Sequence, residues 1–421
     1  MSDRTALEVA GTAPVDTTPL TLLQRCFVGA TVLAPVDLAV AGSFTVYDVL
    51  VVGLLGGILL ERRPMIWMPR RFLAPVLVLL MASFVSLTRS TEVIEGLTQT
   101  AQFVFIFAVV APVTMTLVTT KRVLLATVGA FVLGATIVIL VARVQNVAGG
   151  NDRIVTAFNS NPNPLGYAAA YAIPFVLFGL WTLSRRRRPI VFAVAFATAV
   201  YVALWAVTAS GSRGAALGLV AAVVVYWLFS DGLELSPTTL RRAAVLGVGI
   251  GLVVIALSTW AILPGTLNER VAATASGEST LIDDRARLAN AAVLAYEESP
   301  LIGTGLDNFR YVARQYDELS TEQAPHNVLL QFLAQTGVFG MLAFVVLIGI
   351  WYHYLVRAHR GCRDPRWRRV IWMFVASLSA LMVILMTTPN MVHRHYWLVF
   401  ILGLPAAQFG LREADSPEVQ P

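Results

Sequence analysis

The chain has 421 residues, of which 57% are hydrophobic and only 13% charged, with a mean hydropathy of +0.71. A soluble domain carries about 25% charged residues, so this composition excludes a soluble globular protein and points to a polytopic helical membrane protein. The net charge of +6 reports orientation in the bilayer rather than affinity for nucleic acid, because basic residues concentrate on the cytoplasmic side.

Residues 1–20 are polar, with Pro and Thr, and lack the apolar core of a cleaved signal peptide. A disordered cytoplasmic N-terminus is expected, followed by a first span that acts as an uncleaved signal anchor. An apolar run of about 20 residues spans a bilayer. By that criterion about twelve transmembrane helices are predicted, over residues 21–40, 46–60, 72–88, 98–118, 123–142, 164–183, 189–209, 213–230, 243–263, 327–351, 369–388 and 395–411. They make an all-α fold, a single transmembrane domain over 21–411, with 412–421 as a cytoplasmic tail. An even number of spans puts both termini on one side. The short loops 61–71, 184–188 and 357–369 are rich in arginine, which orients both termini to the cytoplasm of a cell inner (plasma) membrane protein. Cys26 and Cys362 then lie on the cytoplasmic side without metal-ligand spacing, and no disulfide is expected.

Asp37 and Asp48 sit near the outer ends of spans 1 and 2, where a structural or interfacial role is expected. The loop 143–163 ends in Asn161-Pro162-Asn163-Pro164. Asn163 suits a cap for the helix that starts at Pro164, and its amide equally suits sugar hydroxyls, as both donor and acceptor. Spans 7 and 8 are joined by Ser210-Gly211-Ser212-Arg213-Gly214 on the outer face. A cation at the start of span 8 opposes the helix dipole. An anion would convert the same arrangement into a binding site, whereas without one the arginine would snorkel to lipid headgroups.

One large extracytoplasmic loop is expected over 264–325, containing a short amphipathic helix at 283–298. Leu288, Ala292 and Ala295 fall at helical spacing. Arg285 shares their face and needs an anion, either a substrate or an acid such as Glu278. Arg287 points nearly the opposite way. The run Pro300-Leu301-Ile302-Gly303-Thr304-Gly305 lacks a GxGxxG pattern and a Walker lysine, so it reads as a tight turn. His326 closes the loop just after Pro325, and Asn327 follows it. Farther on, His393, Arg394 and His395 face outward again in what reads as a simple loop.

The outer face therefore collects Arg213, Arg285 and His326. No HExxH or outward Cys/His cluster suggests zinc, and Ser210 and Ser212 lack a triad pattern. Arginine forks hold phosphate oxygens, and a neutral histidine accepts a proton near pH 7. Such a set suits a substrate with a diphosphate and a hydroxyl to be activated.

These stretches resemble the O-antigen ligase and Wzy polymerase superfamily. The resemblance covers roughly the second half of the chain, with residues 200–350 as its core. It rests on Ser212-Arg213-Gly214 opening a span, Arg285 ahead of Pro300 to Gly305, His326-Asn327 with Leu330-Gln331 and Gly337, and Asn161-Pro162-Asn163. It implies a GT-C-like, metal-independent inverting glycosyltransferase without a cofactor. The donor would be a glycan on undecaprenyl diphosphate, and a glycan or lipid hydroxyl would be the acceptor. His326 would be the base, Arg213 and Arg285 the diphosphate ligands, and Asn327, Asn163 and Arg287 further substrate contacts. Ala289 departs from the family, many of whose members have tryptophan there. The alternative within the class is a Wzy-type polymerase, whose product stays on its carrier. From another class, twelve spans also suit a lipid-linked glycan transporter or flippase, although no repeat and no mid-membrane charge is evident.

Overall fold

The computed structural model describes residues 19–41, 44–145, 154, 161–184, 189–229, 272, 276, 281–317, 323–388 and 393–415. The predicted span 243–263, most of loop 143–163, Glu278 and the N-terminal segment lie outside them. Among the described residues, seven helices are long and apolar enough to cross a membrane, and Val46–Leu60 and Arg213–Trp227 are shorter apolar helices.

Helix α1 is Leu22–Thr31, opened by a capping box between Thr21 and Gln24. It is shorter than the predicted 21–40. Pro35 disfavours helical backbone in the residue before it, and the chain turns through 32–37 instead. A small antiparallel hairpin follows, β1 (Ala39–Ala41) and β2 (Phe44–Thr45), with Ala39 opposite Thr45, where the end of the first span and a short loop were expected. Helix α2 (Val46–Leu60) begins in a second capping box, Thr45 with Asp48. Then come α3 (Leu73–Ser86), α4 (Val93–Phe105), a π-helical segment (Ile106–Val110), α5 (Ala111–Leu117) and α6 (Lys121–Gln145). The second half holds α7 (Asn163–Ser184), α8 (Pro189–Ser210) and α9 (Arg213–Phe229). The loop helices are α10 (Leu281–Glu298) and α11 (Phe309–Tyr316). The last three are α12 (Val328–Gly361), α13 (Pro365–Leu385) and α14 (Arg394–Asp415).

Helices α7, α9 and α13 pack on one another at the centre. Their burial differs from that of α8, which presents Ile190, Val191 and Val194 outward. An outward apolar face suits lipid, which offers no water to its side chains. Inside the bundle, several polar side chains donate to helix carbonyls. Trp351, Trp367 and Trp372 donate their indole N–H to Phe400, Ala406 and Val225, and Ser377 donates to Tyr171. These bonds tie α12 and α13 to α14, α9 and α7.

Candidate functional site

The turn before α9 is built by small residues. Gly211 has φ +60, a backbone state that glycine adopts without steric cost. Ser212 then caps α9, its Oγ accepting from the Ala215 N–H at 3.2 Å. Arg213 is thereby the first residue of the helix. A Cβ on Gly214 would lie 2.0 Å from Thr387 Oγ1, so α9 and the end of α13 meet closely here. Gly166 of α7 packs as tightly against Ser210 and Ala215.

Helix α10 buries Leu288, Ala291, Ala292 and Ala295 against Phe309, Ala313 and Ala334, which is the apolar face its periodicity predicts. The turn that follows is docked at two places. Asn308 Oδ1 accepts from the Thr91 N–H, the Thr91 hydroxyl and the Glu92 N–H, and the Leu306 N–H donates to Ser86 Oγ. On the other side, α12 is broken at Gly337, whose φ is +68. The break frees the carbonyls of Ala334 and Gln335, and the N–H groups of Thr304 and Gly305 donate to them at 2.9 and 3.0 Å. The Val338 N–H in turn donates to the Pro300 carbonyl at 2.8 Å. The Gly-Thr-Gly run is thus a plug for a broken membrane helix, and it sets the position of α10.

That docking brings Arg285 to Arg213. Burial, and then the Arg213 charge, lower the Arg285 pKa. Tyr167 of α7, itself 2% exposed, is an electrostatic neighbour of the same guanidinium. His326 completes the group. Burial, then the Arg285 charge, push its pKa down, and a hydrogen bond with the Thr387 backbone partly offsets them. Its Nε2 lies 3.1 Å from Gln323 Oε1. A histidine held below its usual value is neutral at pH 7 and can take a proton.

The remaining predicted contacts fall elsewhere or serve the backbone. Asn327 is the cap of α12, its Oδ1 accepting from the Leu329 and Leu330 N–H groups. Asn163 is the first residue of α7, and its N–H donates to Asn161 Oδ1 at 2.9 Å. It stands one helical turn before Tyr167, on the same face. Arg287 pairs with Asp317 at 3.7 Å. Tyr167 and Thr387 were not anticipated. Both sit in apolar helical runs, where nothing in the local pattern sets a tyrosine or threonine apart from the core.

Residues 198–345 match the family described as O-Antigen ligase. This stretch is an O-antigen ligase-family region. It contains Arg213, Arg285 and His326. The O-antigen ligase family consists of membrane glycan-processing enzymes of the ligase or polymerase type, whose substrates are lipid-linked glycans, and the apolar helices around this region are those of a membrane protein. No curated protein matches the chain.

Proposed function

We propose that the protein is a metal-independent inverting glycosyltransferase. It moves a glycan from undecaprenyl diphosphate to an acceptor hydroxyl on the extracytoplasmic face of the inner membrane. The observation that carries this reading is the meeting of Arg213, Arg285 and His326, two guanidiniums and a neutral imidazole drawn from three separate segments. Two guanidiniums that raise each other's electrostatic cost favour an anionic ligand. A diphosphate is such a ligand, and arginine forks match its oxygens. The cationic pair neutralises leaving-group charge that a metal ion would otherwise neutralise.

In the reaction the acceptor O–H gives its proton to His326. The acceptor oxygen bonds to the anomeric carbon of the donor sugar. The bond from that carbon to the phosphate oxygen breaks, and the diphosphate leaves with the electron pair. Arg213 and Arg285 stabilise that developing charge, and a single displacement inverts the carbon. The twelve spans and cytoplasmic termini expected from the sequence would have the site facing outside, where the donor glycan is displayed. Asn163, beside Tyr167, suits sugar contact. Asn327 and Arg287 act at one remove, through the cap of α12 and the hold on Asp317.

The test uses purified protein with a lipid-diphosphate-linked oligosaccharide, wild type beside His326→Ala. Glycan transferred to a non-carrier acceptor by wild type only is the expected result. A ladder of longer chains still on the carrier identifies a polymerase instead. Equal transfer by His326→Ala overturns the base, and movement of intact lipid-linked glycan without any covalent change favours a transporter.

A further inference from the structure

The turn after α1 and the start of α14 meet in a second polar cluster. Asp37 Oδ2 lies 3.2 Å from His393 Nδ1, with the two side chains 22% and 19% exposed. His393 stacks on His395 at 5.2 Å between ring centroids, and the Tyr396 ring stands edge-on to both. Tyr171 stacks on His395 from α7. Tyr396 has Asp37, Tyr167 and Tyr171 as electrostatic neighbours. Tyr167 is also a neighbour of Arg285, so one tyrosine borders both clusters.

Three features set this cluster apart from a structural ion pair. The adjacent pair, Arg394 with Asp48, is such a pair: its side chains are 6% and 0% exposed, and Asp48 also closes the cap of α2. In contrast, the Asp37 and His393 side chains keep 22% and 19% of their surface exposed. Asp37 also holds φ +53, a left-handed state that aspartate adopts more readily than most non-glycine residues but still at some cost in free energy. Finally, His395 Nδ1 and the Tyr396 hydroxyl are buried and have no hydrogen-bond partner among the described residues. Buried polar atoms are nearly always paired, so both are groups for a ligand or a water to satisfy.

We propose that Asp37 and His393, backed by His395 and Tyr396, form the subsite for the acceptor sugar. This rests on the transferase reading above. A carboxylate only accepts hydrogen bonds, and its two oxygens take two neighbouring sugar hydroxyls. An imidazole held by that carboxylate presents its other nitrogen to a third. The unpartnered tyrosine hydroxyl and histidine nitrogen take the place of water around the buried part of the ring. Acceptor sugar held here stands one tyrosine away from the diphosphate site, so its free hydroxyl is delivered toward His326.

The experiment measures binding without turnover, in lipid nanodiscs holding the full chain. The probes are the oligosaccharide released from the donor lipid, a panel of neutral mono- and disaccharides of gluco, galacto and manno configuration, and undecaprenyl diphosphate. Asp37→Asn and His393→Gln are expected to weaken saccharide binding about tenfold or more while undecaprenyl diphosphate binds as in wild type. His393→Gln keeps a polar side chain at that position and carries the test if Asp37→Asn does not fold. Saccharide binding equal to wild type in a folded variant, no saccharide binding to wild type, or parallel loss of both ligands overturns the subsite. Transfer assays separate the two readings: saccharide bound through Asp37 with no transfer by wild type leaves the subsite standing and removes the transferase.

Discussion

Arg285, on a loop helix, stands against Arg213, the first residue of a membrane helix, and burial together with the Arg213 charge lowers the Arg285 pKa. Like charges in a half-buried site oppose each other, so an anion between them gains from both. Arg213→Lys and Arg285→Lys each keep the charge and lose the fork. Either change is expected to reduce transfer about 100-fold or more, within the range for removing one donor from a developing anion. Steady-state transfer in nanodiscs checks it, and full activity in both lysine variants ends the diphosphate role.

The pH profile follows from the same charge. Burial and then Arg285 hold His326 below 6.5, its ordinary value. The acid limb of kcat/KM, which reports the free enzyme, is therefore expected below that value. A bound diphosphate offsets the Arg285 charge, so the acid limb of kcat is expected at higher pH than that of kcat/KM. In Arg285→Gln the limb of kcat/KM moves up. A limb unmoved by that substitution removes Arg285 from the neighbourhood of the base.

Gly303 and Gly337 face each other across the plug. A Cβ on Gly337 would lie 2.4 Å from the Leu301 backbone, and one on Gly303 would lie 2.4 Å from the Gln335 backbone. Both have positive φ, +68 and +76. Alanine at either site adds strain of about 1–3 kcal/mol and separates two backbones. A lower apparent Tm is expected, with transfer lost as α10 leaves its seat. Thermal scans beside activity assays read both effects.

Asp48 and Arg394 form a pair whose side chains are almost wholly buried. Removing one partner of such a pair costs about 3–5 kcal/mol, because the other charge is left alone. Asp48→Ala is expected to lower the apparent Tm more than Asp48→Asn, which keeps an oxygen for the Thr45 N–H that now donates at 2.9 Å. Equal melting of the two variants argues against the cap bond, and wild-type melting of both argues against a buried charge pair.

The membrane class and most of the helices were legible in the chain because both are set by local apolar content. Hydropathy also located the loop helix, since Leu288, Ala292 and Ala295 recur at helical spacing and are buried as that spacing predicts. Arg285 stood out as a charge on an apolar helix face, Arg213 as a cation at a helix start and His326 as the histidine that closes the long loop. Arg285 and His326 are nevertheless 41 positions apart, and what joins them is a set of backbone hydrogen bonds between Pro300–Gly305 and the break at Gly337. A glycine in an apolar run gives no sign that its helix will break and expose two carbonyls. Tyr167, Thr387 and the Asp37–His393 pair depended on that same kind of long-range packing. Their residue types are ordinary in their own segments, and their neighbours come from helices far away in the chain. Composition and periodicity thus determined that this is a helical membrane protein. Tertiary structure alone decided which polar groups meet, because a meeting of side chains is a property of packed helices and not of any one stretch.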